Sequence, residues 1–371
     1  MMKALLYTGE GRIGLSHGVT VRGPQAGEII VRIVACGLCR SDLSVVHGTI
    51  PWPAPAVLGH EGAGIVEEVG PGVTKIKPGD HVVLHTLANC GHCEHCDSGK
   101  PTHCRETLGN RSTPFSLADG QPVTNFAAVS AFAEYTVVKQ DQAVVIDSDV
   151  PLTTACLIGC AVLTGVGSVL NRARVQTGET AAVFGGGGGV GLNVIQGLVL
   201  SGASRIIAVD TVPEKRQLTE LFGATDFIDA KTGDVSEQIR ALLPHSKTAN
   251  TGTFGSGGVD WSFECTGSPV ALKSAIEALT WGGNAVVVGV PPQGATIELP
   301  INPIAYVDRG IIGSRYGSSR PHHDIPIYIK LYKQGRLKLD ELITQQYPIE
   351  QFETAFADLD AGKLARGVLT F

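Results

Sequence analysis

The stretch from Thr180 to Asp210, "TAAVFGGGGGVGLNVIQGLVLSGASRIIAVD", decides the fold. "TAAVF" is a short apolar run of strand length, and the glycines end it. "GVGLNVIQGLVLSG" reads as a helix, and "RIIAVD" as a second strand rich in β-branched residues. Gly186-x-Gly188-x-x-Gly191 is a weak signal by itself. It gains force from standing between a strand and a helix. Asp210 closes the second strand, 210 − 191 = 19 residues beyond the last glycine, close to dinucleotide-binding spacing. Gly186, Gly188, Gly189 and Gly191 would let backbone approach a pyrophosphate at the positive end of the helix. Asp210 would accept hydrogen bonds from the adenosine ribose hydroxyls and repel a 2′-phosphate, so NAD is expected rather than NADP.

The rhythm continues outward. The helix "PEKRQLTELFGA", the strand "DFID", the strand "VDWSFECTG", the helix "SPVALKSAIEALT" and the strand "NAVVVGVPP" follow in order. Such alternation implies a parallel sheet covered by helices. The first 150 residues differ, with short β-branched runs bounded by glycine and proline, as in "AGEIIVRIVACGLC" and "GIVEEVG". After about residue 300 the alternation stops. We therefore expect an α/β chain, with a doubly wound parallel sheet between about 154 and 300. "TANTGTFGSGG" (248–258) has the composition of a surface loop.

Composition narrows the function. Of 371 residues 43% are hydrophobic and 17% charged, enough apolar material for large cores. Net charge is −6 without a basic run, which argues against nucleic acid and anionic membranes as partners. Two uncharged runs, 150–171 and 180–204, have spanning length, but glycine, threonine, serine and asparagine interrupt them, so no membrane span is expected. The N-terminus shows no secretory pattern, and a cytoplasmic location is expected.

Nine cysteines in such a chain are more often metal ligands or core residues than disulfides. Cys90, Cys93, Cys96 and Cys104 stand three, three and eight residues apart in a glycine-containing loop. Four thiolates at that spacing fit a closed tetrahedral structural zinc site, and a redox dithiol would need only two of them. His92, His95 and His103 then read as loop residues outside the filled tetrahedron. A second, scattered set is Cys39 in "CGLCRSD", His60 and Glu61 in "LGHEGAG", and Cys160 in "LIGCAVLTG". Two sulfurs and one imidazole leave a fourth position open, as in a catalytic zinc site. Each fragment is weak alone, because a lone buried cysteine is usually core.

With these motifs assembled, the chain resembles the zinc-dependent medium-chain alcohol dehydrogenases, from "ACGLCRSDL" and "VLGHEGAGIVEEVG" to the final "ARGVLTF". "GASRII", "VGVPP" and the spacing of the "CRSD" and "GHE" ligands resemble the liver-type and glutathione-dependent formaldehyde dehydrogenase branch. Cys₂His zinc is the known arrangement of alcohol dehydrogenase, so the resemblance and not the spacing carries that assignment. It implies a GroES-like, mostly β catalytic domain from 1–158 and 300–371, a doubly wound Rossmann domain over 159–299, and two zinc ions per chain. Cys39, His60 and Cys160 would hold the catalytic zinc, Asp42 would fix His60, and Glu61 would be the acid beside the metal. Ser41 would take the substrate proton. Arg40 and Arg366 would meet the pyrophosphate, Thr164, Val190 and Val290 the nicotinamide, and Lys215 the adenosine side. Without the resemblance, Arg40, Arg366 and Lys215 read as solvated surface charges. A homo-oligomer, a dimer before a tetramer, is also expected.

The chain departs from the branch in several places. Ser44 stands where the proton relay often has a histidine, and His47, three residues further, is then the catalytic candidate for the outer relay. "TIPW" (49–52) replaces acidic residues, Leu108 replaces an arginine, and Thr86 replaces an aromatic near zinc. The glycine run holds one extra residue. These differences favour a bulky primary alcohol or its aldehyde, aromatic or long-chain, oxidised with NAD. The alternatives are a glutathione- or other thiol-dependent formaldehyde dehydrogenase and, in another class, a non-catalytic zinc- and nucleotide-binding protein.

Overall fold

Alternation along Glu28–Gly37 sets the frame of the N-terminal region. In "EIIVRIVACG", Ile29, Val31, Ile33 and Ala35 are at most 2% exposed, while the intervening Ile30, Arg32 and Val34 are only half-buried. Successive side chains of a strand point to opposite faces, so this pattern builds one buried face. Truncating one of these large side chains to alanine costs about 2–5 kcal/mol. The computed structural model describes residues 1–109, 113–243 and 257–371. Of the expected surface loop, 248–256 lies outside them.

Two units form, Met1–Leu163 with Ser319–Phe371, and Thr164–Ser318. In the first, a closed five-stranded barrel is built from Met2–Gly9, Arg12–Val21, Phe115–Leu117, Pro122–Asn125 and Ala56–Val57. Beside it, Glu28–Gly37 pairs with Glu61–Val69, with Tyr135–Lys139 and with the C-terminal Arg366–Thr370. Gly37 stands opposite Glu61 on one side and Val368 on the other. The sheet thus brings the end of the chain against the residues around position 61.

The second unit holds six parallel strands in the order Asp226–Asp229, Arg205–Asp210, Thr180–Phe184, Val259–Glu264, Leu279–Val287, Gly310–Gly313. Counted within the unit, that is 3-2-1-4-5-6, the doubly wound order. The order reverses between Thr180–Phe184 and Val259–Glu264, and ligands of such sheets bind at the carboxyl ends beside that point.

Two differences from the sequence reading concern the edges of this unit. Gly310–Gly313, which follows the loss of the βα rhythm, pairs with Asn284–Val287 as the sixth strand. Residues 159–163 belong with the first unit, which keeps Cys160 in the same body as Cys39 and His60. Both uncharged runs are interrupted. The first is divided among Leu152–Ala155, Cys156–Gly159, Ala161–Gly167 and Ser168–Ala173, and the second between a strand and the helix Gly189–Ser201. No single helix among the described residues is long and apolar enough to cross a membrane.

Candidate active site and metal centres

The four-cysteine loop closes on itself. Its sulfurs all lie within 4.8 Å of one another. Cys93 and Cys96 Sγ are 3.6 Å apart, and Cys104 and Cys90 Sγ 3.7 Å. Zinc–sulfur bonds of about 2.3 Å in a tetrahedron place sulfurs roughly 3.8 Å apart, so the group fits that ion. The Cys90 backbone N–H donates to Cys104 Sγ at 3.5 Å. Burial works against ionising Cys104, but this donor and the neighbouring thiols bring it down to about 7. The histidines stay outside the group. His92 Nδ1 pairs with the Cys90 carbonyl at 2.8 Å, and His95 lies edge-on to His103 at 5.8 Å.

The second group gathers residues from three places. Cys39 precedes the short helix Arg40–Val46, His60 precedes the strand that Glu61 opens, and Cys160 follows the turn Cys156–Gly159. Their ligand atoms also lie within 4.8 Å of one another. Cys39 is 7% exposed, His60 5% and Glu61 0%. Asp42, fully buried, explains the orientation of the imidazole. Its Oδ1 is 3.2 Å from His60 Nδ1 and accepts from the Gly59 N–H at 3.0 Å, while Oδ2 accepts from the Cys39 N–H at 3.3 Å. With Nδ1 engaged, Nε2 is the nitrogen left for a metal, the usual carboxylate–histidine arrangement. Burial would lower the proton affinity of His60, but the charges of Asp42 and Cys39 raise it well above the ordinary histidine value. Hydrogen bonding from Cys160 holds the Cys39 thiol well below its usual range. Such a site favours positive charge at its centre, which a divalent cation supplies.

Glu61 is the unsettled member. Burial pushes it up to about 8, against the opposing charge of Arg366. Arg366 Nη1 stands 3.3 Å from Glu61 Oε1, yet neither Glu61 oxygen has a hydrogen-bond partner among the described residues. The pair is therefore an ion contact without hydrogen-bond geometry, and both carboxylate oxygens are left over for another cation. Arg366 is only 4% exposed, and Nη1 also donates to the Leu38 carbonyl at 3.0 Å. The surface reading of Arg366 fails, because the C-terminal strand carries it inward.

Ser41 is half-buried in the first turn after Cys39. Ser44, one turn on, shares its side of the helix. His47 is an exposed C-cap residue, 6 × 100° or about a third of a turn around the helix from Ser41. The helix therefore does not place His47 behind Ser41. Arg40 is exposed and pairs with Asp360 Oδ1 at 2.9 Å.

In the second unit, the glycine turn meets Asp210. Gly188 caps the helix Gly189–Ser201. A Cβ on Gly191 would lie 2.1 Å from the Gly185 carbonyl oxygen, so only glycine fits there. Gly185 has φ +77°. The Gly187 N–H donates to Asp210 Oδ2 at 2.9 Å, and a Cβ on Gly187 would lie 2.5 Å from the Lys215 side chain. Gly187, Asp210 and Lys215 thus share one corner at the carboxyl ends of the strands. Gly186 is buried and Val190 half-buried in the same turn. Thr164 is half-buried, its carbonyl accepting from Ser168 Oγ at 2.6 Å, and Val290 is 65% exposed.

Comparison with known proteins agrees with this geometry. Residues 25–148 match the alcohol dehydrogenase GroES-like domain, and residues 189–334 the zinc-binding dehydrogenase family. The chain is 39% identical over 364 residues to alcohol dehydrogenase class-3 of Cereibacter sphaeroides, covering 95% of each. It is 40% identical over 364 residues to S-(hydroxymethyl)glutathione dehydrogenase of Saccharomyces cerevisiae, covering 95% of this chain and 91% of that one. The crystal structure of benzyl alcohol dehydrogenase from Acinetobacter calcoaceticus superposes with a TM-score of 0.90 at 34% identity, covering 100% and 99% of the two chains. The chain belongs to the zinc-dependent medium-chain alcohol dehydrogenases. It is an oxidoreductase with a GroES-like unit and a Rossmann unit, and zinc and a nicotinamide dinucleotide are its cofactors.

One part of the dehydrogenase site escaped the sequence reading. The Phe126 ring stands edge-on to His60 at 5.5 Å and to Trp52 at 4.9 Å. Nothing in "TNFAAVSAF" marks Phe126 as a neighbour of a ligand, because the contact depends on barrel strands pairing far along the chain.

Proposed function

We propose that this dehydrogenase oxidises a primary hydroxyl group reversibly with NAD⁺. Cys39, His60 and Cys160 would hold the catalytic zinc, and Cys90, Cys93, Cys96 and Cys104 a structural one. The observation that carries this reading is the buried convergence of Cys39, His60 and Cys160, with Asp42 fixing the imidazole from behind. Bound zinc supplies Lewis acidity that lowers the pKa of the substrate hydroxyl, and NAD⁺ supplies the hydride acceptor. The chain's own residues do the rest. Asp42 holds His60 at Nδ1 so that Nε2 would bind the zinc. Ser41, beside Cys39 and half-buried, takes the hydroxyl proton and passes it outward. Arg366 offsets the charge of Glu61. Asp210 receives the adenosine ribose, and the turn Gly186–Gly191 the pyrophosphate. Arg40 and Lys215 add positive charge for the phosphates and the adenosine side, and Thr164, Val190 and Val290 adjoin the nicotinamide.

For the substrate, the relatives support an S-hydroxymethyl thiol adduct, that of glutathione, above the bulky alcohol that the sequence placed first. The bulky alcohol remains a second reading on a specific observation. Thr49, Ile50, Pro51, Trp52 and Leu108 are uncharged where that branch carries charges, and a benzyl alcohol dehydrogenase shares the fold at 34% identity. A charged tripeptide without charged partners would bind poorly. NADH formation separates the two. The first reading expects kcat/KM for formaldehyde plus glutathione to exceed that for benzyl alcohol or octanol by at least about tenfold, or 1.4 kcal/mol. The reverse order overturns it in favour of the bulky alcohol. We also place the protein in the cytoplasm as a homo-oligomer, a dimer before a tetramer, to be checked by cell fractionation and sedimentation.

A further inference from the structure

We infer that Ser130 is a positioning residue for His60, acting through Phe126 and the segment Val57–His60. The inference rests on the reading that Cys39, His60 and Cys160 hold zinc.

The backbone around Ser130 is unusual. Ala127, Ala128 and Ser130 have φ of +52°, +59° and +50°. Side chains other than glycine rarely adopt this region, and it persists only where the surroundings fix it. Here a fully buried hydroxyl does so. Ser130 Oγ accepts from the Phe126 N–H at 2.7 Å and lies 2.8 Å from both the Val57 carbonyl oxygen and Asn125 Oδ1. One hydroxyl proton cannot serve two acceptors. With the Asn125 NH₂ turned toward Ser130, Oγ donates to Val57 and accepts from Asn125 and Phe126, which fills its capacity. That orientation also gives a partner to Asn125 Nδ2, which otherwise has none.

Each of these bonds leads toward the metal ligand. Val57 is three residues before His60. Next along the chain, the Ala131 N–H donates to the Gly59 carbonyl at 2.8 Å and the Phe132 N–H to that of Leu58 at 3.0 Å. Gly59, at φ +85°, admits Phe132 so closely that a Cβ would lie 2.5 Å from its ring. Phe126, tied at its own N–H, sets its ring edge-on to His60. His60 is thus held by Asp42 at Nδ1 and by Phe126 at its ring, and Ser130 is the joint on the second side. Removing the hydroxyl leaves three buried polar groups without their partner and frees the Phe126 backbone.

The test loads the full-length enzyme with zinc, or with cobalt(II) at the catalytic site. It measures metal release to a chelator from each site, the cobalt visible spectrum and the thermal midpoint. For Ser130→Ala we expect release from the Cys39/His60/Cys160 site to accelerate by about tenfold to a hundredfold, the usual effect of losing a group behind a metal ligand. The cobalt spectrum should shift, and release from the four-cysteine loop should be unchanged. Phe126→Leu should loosen the same site alone, and on that background Ser130→Ala should add less than it does in the wild type, only the share carried through Val57–His60. Equal acceleration at both sites, an unchanged catalytic site, or full additivity of the two substitutions overturns the inference. So does Ser130→Gly behaving as wild type, since glycine relieves the backbone without restoring the hydroxyl. If Ser130→Ala does not fold, Ser130→Gly, which relieves the backbone, decides the matter by the same readouts. Failure of wild-type protein to bind any metal at Cys39, His60 and Cys160 would instead overturn the functional reading.

Discussion

Replacing Asp210 should change cofactor choice, and the structure sets the size of the change. Asp210 Oδ2 accepts from the Gly187 N–H at 2.9 Å and Oδ1 from the Val212 N–H at 3.1 Å. A carboxylate has about four lone-pair positions, so two remain for the ribose hydroxyls of adenosine. Hydrogen bonds to a charged group contribute roughly 1.5–3 kcal/mol each. Taking the lower figure for two bonds gives about 3 kcal/mol, or roughly a 150-fold fall in kcat/KM for NAD⁺. A 2′-phosphate near the carboxylate meets repulsion of about 4 kcal/mol per charge pair at 4 Å and an effective dielectric of 20, so NADP⁺ should gain from the same replacement. Asp210→Ala also removes the acceptor from Gly187, and a looser turn would weaken both cofactors. Asp210→Asn separates the effects, because it keeps an acceptor for the turn and loses the charge. The assay is kcat/KM for NAD⁺ and NADP⁺ with one alcohol, beside the thermal midpoint of each variant. Both variants should lower the NAD⁺ to NADP⁺ ratio by at least about a hundredfold. A wild-type preference for NADP⁺, or a ratio within threefold of wild type in both variants, would refute the role given to Asp210.

Two further outcomes follow from the metal groups and the buried histidines. Metal analysis should find two zinc ions per chain, with the open Cys39/His60/Cys160 site losing its ion to chelators first. One zinc in a folded, active chain contradicts this. His85 is fully buried, and burial, aided by His322 edge-on at 5.6 Å and only partly opposed by a backbone hydrogen bond at Asp141, lowers its pKa to about 3. A depressed folded pKa means that the unfolded chain binds the proton first. The contribution is therefore complete above the unfolded value of about 6.5 and is lost as pH falls toward 3. Between pH 7.5 and 5.0 that loss is about 1.5 units at 1.36 kcal/mol each, or roughly 2 kcal/mol. Thermal midpoints at fixed zinc should fall more steeply with acid in wild type than in His85→Leu, and parallel slopes would rule the effect out.

Much of the nucleotide unit was legible because its signals are local. A strand, a glycine turn and a terminal Asp210 stand close together in the sequence, and the sheet order follows from the βα rhythm. The Gly310–Gly313 strand was not legible, since four residues flanked by glycine become a strand only through Asn284–Val287 beside them. Metal ligands could be picked out by residue type, whereas their supports could not. Asp42 stands three residues after Cys39 in a known phrase, but Phe126 meets His60 beside a left-handed backbone at alanines, which leaves no mark in the sequence. The relay reading of His47 counted residues along the chain, while position around a helix depends on angle.

The placing of Arg366–Thr370 beside Glu28–Gly37 has a consequence for the order of events during synthesis. Arg366, the charge partner of Glu61, is translated 366 − 61 = 305 residues later. At about 5–20 residues per second, that is a wait of roughly 15 to 60 s. Cys39, His60 and Glu61 therefore leave the ribosome long before the strand that completes their surroundings, and Cys160 emerges in the interval. A nascent chain would carry a buried acid without its counter-charge, or would leave that region open. Zinc added during translation should meet the four-cysteine loop early, since Cys90 to Cys104 emerge within one short segment, and the catalytic position only after Cys160 has emerged.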